Sequence, residues 1–132
     1  MSTRKLIDRY YNAFNAGDVD GMVACLSGDV RHETNQGPVR HGAAAFREYL
    51  AHMRRCYAEQ VEDLRVMIDD SGGFAAASFV VRGKYVMSSP GLPPARGQDY
   101  VMPAGTFFEI RSGRISRVAT CYNLADWIAQ VA

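Results

Sequence analysis

Arg9-Tyr10-Tyr11-Asn12-Ala13-Phe14-Asn15-Ala16-Gly17-Asp18-Val19-Asp20-Gly21 is the stretch whose reading decides the fold. Leu6, Ile7, Tyr10, Tyr11 and Phe14 recur at steps of three and four, so they line one face of a helix. Gly17 ends that helix and Asp18 can cap a second one. A packed helix face with two tyrosines is unusual, because each buried phenol needs a hydrogen-bond partner. Tyr10 is therefore either a polar group facing a cavity or a core aromatic whose tip reaches solvent.

Working outward, helices are expected over 3–16, 18–26 and 43–56, the last with Phe46, Tyr49, Leu50, Met53 and Tyr57 in an apolar stripe. Between them Val30 to Thr34 reads as a strand, Asn35-Gln36-Gly37-Pro38 as a turn and Val39-Arg40-His41 as a short return strand. The second half is strand-like. Leu64, Val66 and Ile68 alternate with polar neighbours, Phe74 to Val81 is an apolar run, and Thr106 to Ile110 joins Ile115 to Tyr122 through Ser112-Gly113. Asn123 can cap a last helical turn carrying Leu124, Trp127 and Ile128. The proline-rich piece from Ser88 to Gly97 is too long for a hairpin turn and reads as a lid or a dimer contact.

Helices first and mostly antiparallel strands after them make the α+β pattern, one domain over residues 1–132. A curved sheet wrapped around the N-terminal helices would enclose a cone-shaped pocket for a small apolar ligand. Phe107, Ala119 and Cys121 keep apolar groups on the face turned away from that pocket, which leads us to expect a homodimer.

With 48% hydrophobic and 22% charged residues and a formal charge of +1, the chain has no basic surface for nucleic acid or an anionic membrane. No apolar run reaches the length of a membrane span and no leader opens the chain, so the expected location is cytoplasmic. Cys25, Cys56 and Cys121 are far apart and read as free thiols. His32, His41 and His52 lack metal-ligand spacing, and neither a glycine-rich nucleotide loop nor a nucleophile-elbow motif is present. No metal and no cofactor are expected, which leaves acid–base chemistry by side chains.

Arg9-Tyr10, Asn15-Ala16-Gly17-Asp18 and Asp20-Gly21, with Arg40-His41-Gly42 opening the third helix, resemble ketosteroid isomerases. Those belong to the nuclear transport factor 2-like, or SnoaL-like, superfamily of cystatin-like α+β barrels. Asn35-Gln36-Gly37, Gly91-Leu92-Pro93-Pro94-Ala95-Arg96-Gly97-Gln98 and Tyr122-Asn123-Leu124-Ala125-Asp126-Trp127 are most similar to the subgroup called ketosteroid isomerase-related. The resemblance implies that Tyr10 hydrogen-bonds a developing oxyanion. It places the carboxylate base on Glu33 if one residue is deleted near Gly28, and otherwise on Thr34. The second oxyanion donor, an aspartate in the isomerases, reads Thr106 here.

Glu33 and His32 form the best acid–base pair in the chain. A carboxylate in an apolar cone has its pKa raised by desolvation, and an imidazole titrates near neutrality unaided. Strand alternation turns Val30, His32 and Thr34 inward together, so Glu33 faces the cone only if a bulge intervenes. Asn35, Tyr57, Thr106, Phe108, Thr120 and Tyr122 complete the expected ligand contacts. Two functions remain open. One is an isomerase- or cyclase-type enzyme moving a proton on an apolar carbonyl compound, and the other is a non-catalytic, dimeric binding module for a small ligand.

Overall fold

A computed structural model describes residues 2–132. In chain order the elements are α1 (Thr3–Ala16), α2 (Val19–Ala24), β1 (Leu26–Glu33), β2 (Arg40–His41), α3 (Ala43–Cys56), β3 (Tyr57–Ile68), β4 (Phe74–Tyr85), β5 (Gln98–Arg111), β6 (Arg114–Tyr122) and α4 (Leu124–Val131). Among the described residues the strands form one six-stranded sheet in the order β2-β1-β6-β5-β4-β3. Every neighbouring pair is antiparallel except β1 with β6. This is the expected α+β class, a curved sheet with the helices packed on it.

The Asn15-Ala16-Gly17-Asp18 motif has a separate physical task at each polar position. Gly17 adopts a left-handed φ of 72°, where a side chain would be strained, and closes α1 with its N–H on the Phe14 carbonyl at 3.1 Å. Asp18 N–H reaches the Ala13 carbonyl at 2.8 Å, and the Asp18 carboxylate accepts from Gly21 N–H at 2.8 Å to start α2. Asn15 points across to β3. Its amide donates to the Val61 carbonyl at 3.0 Å, and its carbonyl accepts from Val61 N–H at 2.8 Å. Because β3 is an edge strand, those two backbone groups face away from β4 and have no strand to pair with.

Several boundaries differ from the sequence expectation, β1 among them, which starts at Leu26 and not at Val30. α2 ends at Ala24, not at 26, because the Cys25 carbonyl is taken by Ile115 N–H at 2.9 Å and the chain enters the sheet there. β3 begins at Tyr57, seven residues before Leu64, since the Cys56 carbonyl already accepts from Val86 N–H at 2.9 Å. β4 and β5 run to Tyr85 and from Gln98, with the proline-rich segment between them. Bending is local. The β3–β4 register slips between Glu62 and Arg65, where Asp63 takes a φ of 53°, and further slips interrupt β1–β6 between Leu26 and Arg31 and β5–β6 at Glu109/Ile110.

The core lies between the concave face of the sheet and the helices. Tyr11 of α1 packs against Phe79 of β4 at 5.4 Å between ring centroids, and Tyr10 meets Phe108 of β5 edge-on at 5.7 Å. α3 buries Phe46 and Leu50, and α4 buries Trp127 and Val131. No described helix is long and apolar enough to cross a membrane.

Asn15→Ala leaves the two Val61 backbone groups without their side-chain partner while keeping α1 a good helix. Chemical denaturation is expected to show a loss of about 2 kcal/mol, two modest hydrogen bonds plus the cost of part-buried unpaired groups. An unchanged midpoint would mean that the edge of β3 does not depend on this contact.

Candidate functional site

A cavity of about 160 Å³ opens between α1, α3, α4 and the concave sheet face. Tyr10, Tyr11 and Phe14 line it from α1, and Phe46, Tyr49, Leu50 and Met53 from α3. The sheet adds His32, Tyr57, Glu59, Val61, Thr106, Thr120 and Tyr122, while Leu92 and Trp127 close one end. Among the described residues no Lys or Arg lines this cavity, so its titratable side chains are tyrosines, one imidazole and one carboxylate.

His32 is 2% exposed and packs against the rings of Phe46 and Tyr49, at centroid distances of 4.4 and 4.5 Å. Burial pulls its pKa down to about 4, aided by the nearby Arg40 guanidinium and opposed by Glu33. The ring is therefore neutral at neutral pH. Its Nδ1 is buried without a hydrogen-bond partner, and so is the hydroxyl of Tyr11, although the Thr106 side chain nearby offsets part of the rise that burial gives its pKa. Burial raises the pKa of Tyr10, Tyr11 and Tyr49, so each phenol keeps its proton. Two unpaired polar atoms in an apolar cavity carry a desolvation cost that a ligand oxygen or a water can relieve.

Three strands place a second polar group with their register. Glu59 on β3 is opposite Gly83 on β4, and Gly83 is opposite Tyr100 on β5. A Cβ on Gly83 would run into the Tyr100 ring, so the absence of a side chain there lets the ring lie across β4. The Tyr100 hydroxyl then donates to Glu59 Oε2 at 2.7 Å. Burial of the Glu59 carboxyl raises its pKa, and the bond from Tyr100 offsets part of that rise.

Of the residues expected from sequence, Tyr10, His32, Tyr57, Thr106, Thr120 and Tyr122 line the cavity together. Glu33 does not. Alternation holds through the end of β1, with Val30 and His32 buried on the inner face, and no bulge turns Glu33 inward. Its carboxylate is instead clamped on the outside by Arg117, at 3.1 and 3.2 Å, and by Arg31 at 2.7 Å. Those guanidinium groups, Arg117 first, hold its pKa below the usual carboxylate range, opposite to the rise expected in an apolar cone. Asn35 also lies outside, in a left-handed turn with φ 59°, donating to Cys121 Sγ at 3.0 Å. Phe108 is buried behind the tyrosine pair and does not line the cavity.

Glu59 and Tyr100 were not anticipated from sequence. The signal for Glu59 was present, since Tyr57, Glu59 and Val61 alternate with the exposed Ala58 and Gln60. The proline-rich segment contributes Leu92 to the cavity and is held in place by the Tyr85 hydroxyl. That oxygen accepts from Ser89 N–H at 2.9 Å and donates to the Pro93 carbonyl at 2.7 Å. Further anchors are Ser89 Oγ with His52 Nε2 at 3.1 Å, and Arg96 to the Val131 carbonyl at 3.1 Å.

The sequence matches the SnoaL-like domain over residues 7–118. Among solved structures, a candidate polyketide cyclase from Xanthomonas campestris pv. campestris is 48% identical, with a TM-score of 0.96 covering 98% of this chain and 96% of that one. A candidate polyketide cyclase from Pseudomonas putida KT2440 is also 48% identical, with a TM-score of 0.98 over 100% and 99% of the two chains. An LEH-like epoxide hydrolase from M. tuberculosis shares the fold at 16% identity, with a TM-score of 0.77 over 98% and 88%. The chain belongs to the SnoaL-like domain family.

Proposed function

We propose that this protein binds a small, uncharged, apolar carbonyl compound in the cavity and moves a proton next to the carbonyl, in an isomerisation or a ring closure. The observation that carries this reading is the pair of unpartnered polar atoms, Tyr11 Oη and His32 Nδ1, buried at a mostly apolar, largely aromatic cavity. Both fit a ligand oxygen. A neutral imidazole and protonated phenols can donate to a developing enolate without bringing in net charge, which suits a low-dielectric site. The naming of the 48% identical structures as candidate polyketide cyclases agrees in chemical class, since such ring closures begin at acidic C–H groups beside carbonyls. Weak or no isomerisation of a steroid enone is expected, and better turnover of a more acidic carbonyl compound. Glu33 is outside the cavity, and Thr106 is a much weaker acid than the aspartate it replaces.

2-Tetralone is a suitable probe, being apolar, bicyclic and acidic beside its carbonyl. In D2O the protein is expected to speed loss of its C1 proton signal above the buffer rate, with Tyr10→Phe or Tyr11→Phe slowing exchange about a hundredfold where the phenol holds the oxygen. 2-Naphthol, an enolate-like phenol, should bind competitively. Binding of 2-naphthol with no exchange above buffer would leave the non-catalytic module as the function.

The neutral state of His32 has its own consequence. An unfolded histidine takes up a proton near pH 6.5, whereas His32 resists until about pH 4. Between those values the unfolded chain binds more protons, so stability falls as pH drops through the window, by about 3 kcal/mol in full. Proton NMR of the His32 ring should show no titration above pH 5, and His32→Phe should flatten that part of the stability profile.

The outer face of the sheet suits a second copy of this chain. Met67, Ala76, Phe107 and Ala119 form one cross-strand row over β3, β4, β5 and β6, with Phe107 55% and Met67 53% exposed. Light scattering is expected to give a dimer mass, and Phe107→Lys a monomer. A monomer mass for the unaltered protein at micromolar concentration would remove this assembly.

A further inference from the structure

We propose that Glu59 is the general base of this cavity and that Tyr100 is its positioning residue, acting across the gap left by Gly83. The inference rests on the carbonyl-compound reading above and supplies the proton acceptor that Glu33, on the outside, cannot be. Glu59 is the carboxylate among the cavity-lining residues, and it also lines a small recess beneath Phe14, Leu50 and Arg54. The row Glu59–Gly83–Tyr100 runs straight across three strands, so register fixes where both functional groups sit. The Tyr100 hydroxyl occupies Oε2 at 2.7 Å, and among the described residues no hydrogen bond falls on Oε1. One carboxylate oxygen is thereby anchored while the other is left for a ligand.

The titratable and charged groups around Glu59 are Tyr57 on its own strand, Tyr100 from β5, Tyr122 from β6, and Tyr49 and Arg54 from α3. The tyrosines are held protonated by burial, so they leave the carboxylate as the acceptor. Burial also raises the pKa of Glu59, which makes its carboxylate a stronger base. In the step itself, Oε1 takes the proton from the carbon beside the carbonyl. The C–H electron pair becomes the new C=C bond, and the carbonyl π pair moves to the oxygen held by Tyr11 and His32. Return of the proton, or of a solvent deuteron, to a carbon completes isomerisation or exchange and leaves Glu59 ionised again.

The test uses 2-tetralone exchange in D2O together with 2-naphthol binding by fluorescence. Glu59→Gln keeps the shape and an acceptor for Tyr100. It is expected to lose exchange by about a hundredfold or more while 2-naphthol binding stays within a few-fold. Tyr100→Phe should keep exchange but move the rising limb of its pH profile to higher pH, because the lost donor favoured the ionised carboxylate. A purely structural tyrosine would lower the rate without moving that limb. Exchange that persists in Glu59→Gln overturns the assignment of the base and leaves the proposed function standing. Absence of exchange in the unaltered protein overturns both.

Discussion

The free edge of β3 is the constraint on which the rest depends. A strand at the edge of a sheet exposes unpaired N–H and C=O groups, and this one is twelve residues long. α1 covers it with side chains in place of a neighbouring strand. Asn15 satisfies both backbone groups of Val61, Gln60 returns a bond to the Asn15 carbonyl at 3.1 Å, and Arg4 reaches the Val66 carbonyl at 3.3 Å. Thr3 adds a bond to the Gly72 carbonyl at 2.7 Å beyond the end of the strand. The helix is thereby tied along the edge, and the sheet must curl to bring β3 to it. The bulge at Asp63 lies within the tethered stretch and supplies that curl. The inward side chains of β3, Tyr57, Glu59 and Val61, then fall under α1 and become the wall of the cavity.

The cavity wall carries costs that a purely structural core would avoid. An unpaired buried donor or acceptor costs about 1–3 kcal/mol, and the hydroxyl of Tyr11 and Nδ1 of His32 are both in that position. Phenylalanine would fill either site without the cost. The Tyr85 hydroxyl, in contrast, is fully used at the end of the proline-rich segment, taking one bond and giving another. The hydroxyl of Tyr85 is thus satisfied where it builds the scaffold, whereas that of Tyr11 is left without a partner at the cavity.

Much of the fold was legible because its signals were local. The α1 stripe, the Gly17–Asp18 punctuation and the 43–56 helix were read from spacing and capping, and they stand as expected. Placement of the site was less legible, for two physical reasons. α3 passes into β3 with no turn residue between Cys56 and Tyr57, so the helical stripe seemed to absorb Tyr57 and hid the alternation that carries Glu59. Tyr100 is recognised only through its partner two strands away, a long-range pairing that no local pattern reports. At the end of β1 the alternation rule and the family-based placement disagreed. The rule prevailed, because turning Glu33 inward would have broken its ion pairs with Arg117 and Arg31 and turned His32 away from Phe46 and Tyr49.

The shifts of the one imidazole and the one carboxylate that line the cavity share one cause and bear on the kind of ligand it suits. Burial lowers the pKa of His32 and raises that of Glu59, so in both cases it works against the charged form. With no Lys or Arg among the described cavity-lining residues, an anionic ligand would enter without a counter-ion and would pay its full desolvation. An uncharged carbonyl compound avoids that penalty. Under the proposed function its charge appears only as the proton leaves, at the oxygen that the Tyr11 hydroxyl and the His32 imidazole would receive. Donors that gain little from the neutral ground state and more from the developing enolate act on the barrier and not on binding alone.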